Sequence, residues 1–284
     1  MMENILAGSP VHPETSFFTT SDGVRLKIMD FFPPGWKEHD PVLVFVPGWV
    51  SLISGWKHVL NVVTQQLRVI YLETREKQSA EIPSGPYPEF TLQRMSQDLS
   101  EVIHDKIPEK TPFYLAGSSL GSSLILDYLK KDNQPKPENV ILISPITHID
   151  FPFWAKLIIR YVPPSAYTLI KHVVIFYLTR FRVDKTKEPE QAEKYRGTLS
   201  AAEPILLKAN ARALSGYSVW EGLNTIKSPI VLVGAKTDKL HGLSELEKMA
   251  SLIPKARLEV MASNRESHSE KAGHLVLNEM IHTK

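Results

Sequence analysis

Short uninterrupted apolar runs recur along the chain, and between them apolar residues fall three and four apart. The runs at 42–46 (Val-Leu-Val-Phe-Val), 69–72 (Val-Ile-Tyr-Leu), 140–143 (Val-Ile-Leu-Ile) and 230–233 (Ile-Val-Leu-Val) have no polar alternation. A strand of this kind is apolar on both faces, as a parallel sheet covered by helices requires. Pro112-Phe113-Tyr114-Leu115 reads as the end of another, and Arg257-Leu258-Glu259-Val260-Met261 as a last, less apolar one. Helices are predicted over 56–67 and over 91–107, where Leu92, Met95, Leu99 and Ile103 form the apolar face. Near the start, Val24, Leu26 and Ile28 alternate with Arg25 and Lys27 after Ser21-Asp22-Gly23, a strand–turn–strand signal following Phe17-Phe18-Thr19-Thr20.

Strands alternating with helices predict an α/β fold with a mainly parallel sheet and helices on both faces. The alternation stops near residue 150 and resumes at 230. Residues 1–150 and 216–284 therefore read as one core, and 151–215 as a helical lid inserted over the sheet.

Composition narrows the function classes. With 43% hydrophobic and 23% charged residues, the 284-residue chain can bury a large core. A net charge of +2 is too small to point to nucleic acid. The chain has no cysteine, which removes disulfides, thiol nucleophiles and thiolate metal sites and fits a reducing, cytoplasmic compartment. Residues 1–8 lack a basic segment followed by an apolar run, so no secretory signal is expected. No apolar stretch reaches the roughly 18 residues of a membrane span; the closest, 161–179, is interrupted by Pro163-Pro164, Lys171 and His172.

The candidate chemistry centres on Gly117-Ser118-Ser119-Leu120-Gly121. The string Gly-x-Ser-x-Gly is weak evidence alone. Here it follows an apolar strand and opens a helix with Leu120, Leu124 and Tyr128 at i, i+4 spacing, the context of a nucleophile elbow. A serine held at a sharp strand-to-helix turn brings backbone segments close on either side, where glycine fits. Serine needs a base, and the base needs a carboxylate to orient it. In the strand–turn–helix setting these follow in the order Ser, acid, His. Asp238 comes directly after the run at 230–233, and Asp150, after the preceding strand, is its competitor. His274, in Ala272-Gly273-His274, is the predicted base; His268 and His241 also lie in the right half of the chain. Two main-chain donors are expected for the oxyanion: the N–H of Leu120, and an N–H in Pro47-Gly48-Trp49-Val50, with Trp49 ahead of Val50.

These features resemble the α/β-hydrolase family, and within it the lidded serine esterases and lipases of the monoglyceride lipase and lysophospholipase kind. Residues 18–26 are similar to their opening strands. Pro47-Gly48 stands where that family has His-Gly, and Glu73-Thr74-Arg75-Glu76-Lys77-Gln78-Ser79 where many members have an Arg-Gly-x-Gly loop. The longer triple-glycine oxyanion motif of another esterase branch is missing. Relatives that open epoxides or displace halides use an aspartate nucleophile, and position 119 is serine.

The expected function is hydrolysis of carboxylic esters with an apolar acyl group, through an acyl-enzyme, with no cofactor and no metal. Acyl transfer or C–C bond hydrolysis on the same triad, and a non-catalytic binding member of the fold, are the alternatives. The partner is a small-molecule ester, a lipid being one class. From 151 to 187 the insertion carries seven basic residues (Lys156, Arg160, Lys171, Arg180, Arg182, Lys185, Lys187) against one acid, Asp184. Its stripes, Trp154/Leu157/Ile158/Tyr161 and Tyr167/Ile170/Val174/Tyr177, are expected to pack on the core, to line an acyl pocket, and to touch anionic membrane surfaces.

Overall fold

The computed structural model describes residues 11–281 apart from 86, 178–195 and 239. Eight strands form one sheet in the order β1-β2-β4-β3-β5-β6-β7-β8. They are β1 (Glu14–Thr19), β2 (Arg25–Phe31), β3 (Val42–Val46), β4 (Arg68–Leu72), β5 (Phe113–Ser118), β6 (Val140–Ile143), β7 (Ile230–Ala235) and β8 (Ala256–Met261). The β1–β2 and β2–β4 pairs are antiparallel, and every later pair is parallel. This is the mainly parallel α/β sheet that the run pattern predicts, in the α/β-hydrolase arrangement that the resemblance implies.

The apolar runs are buried on both faces because alternate residues feed two separate cores. In β3, Val42, Val44 and Val46 join one cluster, and Leu43 and Phe45 the other. On the first face lie α2 (Leu92–Lys106), α3 (Leu120–Leu129) and α7 (Leu243–Leu252); on the second lie α1 (Lys57–Val63) and α8 (Glu270–Ile281). The predicted α2 boundary holds because Thr91 caps it, its hydroxyl accepting from the Arg94 N–H at 3.2 Å.

Register brings the chemistry to one edge. Val46 pairs with Gly117, Ser118 with Ile143, and Ile143 with Val233, so the C-terminal ends of β3, β5, β6 and β7 lie side by side. The loops leaving those four ends carry Trp49, Ser119, Ser144 and Asp238.

The elbow's glycines are required by close approach. A Cβ on Gly121 would sit 2.2 Å from the Val46 carbonyl oxygen and 2.6 Å from that of Pro47; one on Gly117 would sit 2.9 Å from the Gly121 carbonyl carbon. Backbone cannot give way as a flexible side chain would. Gly121→Ala is therefore expected to destabilise the fold by about 3 kcal/mol or more, the upper end of overpacking costs, read as a fall in the urea midpoint. An unchanged midpoint would contradict the packing at β3.

Between β6 and β7 the described residues contain helices and one isolated bridge, from His148 to Ser218, but no strand. The helices are α4 (Phe153–Tyr161), α5 (Tyr167–Tyr177), a short turn of helix over 196–201, and α6 (Pro204–Leu214). The first predicted stripe divides. Trp154 and Ile158 face a cavity over the sheet, whereas Leu157 and Tyr161 are exposed. An α4 of only nine residues with no fully buried side chain has room for one inward row. The second stripe holds: Tyr167, Ile170, Val174 and Tyr177 all line the cavity, and the Trp154 and Tyr177 rings meet edge-on at 5.2 Å. Arg180, Arg182, Asp184, Lys185 and Lys187 lie outside the described residues. Among the described residues no helix is long and apolar enough to cross a membrane.

Candidate active site

Ser119 sits between β5 and α3 with φ 51° and ψ −116°, a conformation that non-glycine residues rarely adopt. It is held there by its neighbours. Its N–H donates to the Ile143 carbonyl at 2.8 Å, and the Ser123 N–H donates to its carbonyl at 3.2 Å. The strained turn presents Oγ at the cavity, which Ser119 helps to line.

The imidazole beside Oγ is that of His241. Its Nε2 lies 3.2 Å from Ser119 Oγ, and its Nδ1 lies 2.9 Å from Asp238 Oδ2. The local sequence makes this possible. The chain turns directly after β7, with the Asp238 N–H on the Ala235 carbonyl at 3.1 Å. Asp238 Oδ1 then accepts the N–H groups of Leu240 at 2.9 Å and His241 at 3.1 Å. An aspartate bonding backbone two and three residues ahead closes a tight turn. That turn carries the His241 ring back over its own carboxylate, and Asp238 Oδ1 and Oδ2 divide the backbone and imidazole between them.

Ser144, itself at φ 47°, donates its hydroxyl to Asp238 Oδ2 at 3.2 Å. The Asp238 side chain is 2% exposed and that of His241 13%. Burial by itself would raise the Asp238 carboxyl. The hydrogen bond and charge of His241, with the two backbone N–H groups, outweigh it and hold the carboxyl below its ordinary value of 3.8. A lowered carboxyl binds fewer protons folded than unfolded, so its stabilisation is complete above about pH 4 and is lost as pH falls through the folded value. Asp238→Asn is thus expected to flatten the acid side of a plot of thermal midpoint against pH. An acid limb identical to wild type would contradict this.

His274 does not reach the site. It is on the exposed side of α8, and the position next to both Ser119 and Asp238 is taken by His241. The Gly273-His274 pair read as a loop is helical. Gly273 is small because α8 packs closely on α1: a Cβ there would sit 2.8 Å from Val62 Cβ and 3.1 Å from the Val59 carbonyl oxygen. His268 lies over the Trp56 ring at 4.4 Å between centroids, with Nδ1 2.9 Å from the Asn264 carbonyl. Asp150 is exposed and paired with Lys156 at 2.6 Å, so of the two candidate carboxylates it is Asp238 that meets the His241 ring.

The main-chain N–H groups of Trp49 and Leu120 have no acceptor among the described residues, whereas the Val50 N–H donates to Glu76 Oε1 at 3.3 Å. The alternative donor, Val50, is therefore occupied. Gly48 brings this loop onto the elbow, where a Cβ would lie 3.2 Å from Ser119 Cβ.

Ser119 and His241 open into a cavity of about 660 Å³, walled by Trp49, Ile149, Phe151, Trp154, Ile170 and Leu207 among others. The volume is that of a small-molecule site.

Comparison with known proteins agrees with the fold. The chain is similar over 97% of its length to 99% of a hydrolase from Pseudomonas aeruginosa (TM-score 0.73, 20% identity). It is similar over 93% to 96% of a thermophilic esterase from Thermogutta terrifontis (TM-score 0.70, 20% identity). It is similar over 99% to 96% of a carboxylesterase from Bacillus subtilis (TM-score 0.70, 17% identity). No curated protein sequence matches the chain. Residues 89–269 match the family described as serine aminopeptidase, S33. That span contains the elbow, the helical insertion and the Asp238–His241 turn, and the chain belongs to this family of α/β hydrolases.

Proposed function

We propose that the protein is a serine hydrolase of carboxylic esters with an apolar acyl group. One observation carries the reading: Ser119, His241 and Asp238 form a hydrogen-bonded line that opens into an apolar cavity. Ser119 Oγ attacks the ester carbonyl while His241 Nε2 takes its proton. Asp238 keeps the second ring proton on Nδ1 and stabilises the imidazolium. The N–H groups of Trp49 and Leu120 receive the negative oxygen of the tetrahedral intermediate. His241 then gives its proton to the departing alkoxide, leaving an acyl-serine. In the second half a water loses its proton to His241 and attacks the acyl carbon, and the proton returns to Ser119.

Helices α4, α5 and α6 act as the lid of this reading and wall the acyl site. On its outer side, α4 exposes Phe153, Leu157 and Tyr161 beside Lys156 and Arg160, a face suited to an anionic membrane surface.

The test is a series of p-nitrophenyl esters of increasing length, with aminoacyl p-nitroanilides alongside. Each buried methylene is worth about 0.8 kcal/mol, so kcat/KM is expected to rise about threefold to fourfold per added carbon until the cavity is full. A flat series, or faster cleavage of the anilides, would overturn the apolar-acyl reading. In the same preparation, sedimentation with vesicles containing phosphatidylserine at low salt is expected to carry the protein down. Failure to sediment would remove the membrane part.

A further inference from the structure

The segment Arg75-Glu76-Lys77 puts three charged side chains in the interior, 0%, 0% and 5% exposed. Buried charges are costly and persist where they are paired. Arg75 explains itself structurally. It forms a two-pronged ion pair with Asp98 of α2 (Nε–Oδ2 2.7 Å, Nη2–Oδ1 2.6 Å) and a second with Asp22 of the β1–β2 turn at 2.8 Å. Glu76 and Lys77 point the other way, at the loop after β3. Glu76 Oε1 accepts the Val50 N–H at 3.3 Å, Lys77 Nζ donates to the Gly48 carbonyl at 2.7 Å, and the two side chains lie 3.4 Å apart.

These two contacts bracket Trp49. Val50 has φ 44°, which for a β-branched residue is a strained conformation that persists only where the surroundings fix it. The carboxylate on the Val50 N–H and the ammonium on the Gly48 carbonyl fix both peptides that flank Trp49. The Trp49 N–H between them is left without an acceptor among the described residues.

We propose that Glu76 and Lys77 are positioning residues for the oxyanion loop: they hold Gly48 and Val50 so that the Trp49 N–H stays free for the negative oxygen. The proposal rests on the serine-hydrolase reading above and adds residues to it. Neither side chain lines the cavity. Arg75 ties the same segment to α2, so the clamp bears on the rigid body of the fold.

The test compares steady-state constants on an ester that the wild-type protein hydrolyses. Glu76→Ala is expected to lower kcat about 10- to 100-fold with KM changed less than twofold. This is somewhat below the full cost of deleting an oxyanion donor, since Trp49 is displaced and not removed. Glu76→Gln should restore most of the rate, because its amide oxygen can still accept from Val50. Lys77→Met should fall like Glu76→Ala. A single variant that leaves a buried charge unpaired can fail to fold. The neutral double variant Glu76→Gln/Lys77→Met keeps both volumes, and it is expected to fold and to show the kcat loss from loosening Gly48, whose carbonyl then keeps only the Ser51 N–H at 3.0 Å. Folded Glu76→Ala, Lys77→Met or double variants with wild-type kcat, or with a rise in KM alone, would overturn the proposal. A wild-type protein inert toward every ester would instead overturn the hydrolase reading, so the two failures are distinct.

Discussion

Ser119→Ala is expected to lower kcat/KM by about ten-thousand-fold to a million-fold while leaving the fold intact. The size follows from what is removed. The hydroxyl is the only nucleophile in the Ser119–His241–Asp238 line, and without it the site retains binding and oxyanion contacts alone, which leave a small residual rate over water. Stability should move little or improve. Ser119 occupies a strained conformation fixed by the Ile143 carbonyl and by the close approach of Gly117, Gly121 and Gly48, and alanine suffers no greater main-chain strain there than serine. Ester hydrolysis with thermal melting on the same samples checks both halves. Retained activity would remove Ser119 from the mechanism, and loss of the fold would make the activity result mute on it.

His241→Ala is expected to cost about as much, whereas His274→Ala and His268→Ala should each remain within about twofold of wild type. Serine and histidine act as a unit, so deleting either removes nearly all of what the pair supplies. The double variant Ser119→Ala/His241→Ala should then be no worse than either single one. The contrast among the histidines is sharp because their surroundings differ. His241 bridges Ser119 Oγ and Asp238 Oδ2; His274 faces solvent from α8; His268 is bound to Trp56 and the Asn264 backbone. Asp238→Asn should lose about ten-thousand-fold in kcat, because an amide cannot hold the ring in the required tautomer. A His274→Ala variant that lost activity as His241→Ala is expected to would make His274 the base and require a large movement of α8.

The sheet was legible because burial on two faces leaves a direct mark. Five residues such as Val42–Val46 with no polar break can only sit where alternate side chains enter two cores. The elbow was legible because its glycines are demanded by backbone contacts between residues near in sequence or in adjacent strands. Asp238 was legible as the first acid after a clean strand. In sequence, Gly273-His274 looks like a loop leading into a terminal helix, and this draws the expected base away from His241. The order Ser, acid, His is kept with a spacing of only three residues, through a turn that Asp238 itself closes. An Asp-x-x-His directly after a buried strand was the available signal. Gly273 misled because a glycine before a histidine looks the same in sequence whether it opens a loop or lets two helices touch; only the Val62 contact separates the two.

The segment 73–79 could not be read at all. Its charges find partners 23, 53, 26 and 29 residues away in Asp98, Asp22, Val50 and Gly48, and no local pattern encodes such contacts. The insertion was half legible. Helical periodicity found its stripes, but which apolar residues face the cavity and which face out depends on how α4 lies against its neighbours, so Trp154 and Tyr161 ended on opposite sides.

In the proposed mechanism His241 activates Ser119. The most direct measurement is the rate at which a fluorophosphonate labels the protein, with the modified residue located by peptide mass spectrometry, in wild type, His241→Ala and His274→Ala. The predicted result is label on Ser119 in wild type, the same label at nearly the same rate in His274→Ala, and labelling slowed by at least about a thousand-fold in His241→Ala. Label on another residue, or labelling that His274→Ala abolishes and His241→Ala leaves intact, would contradict it.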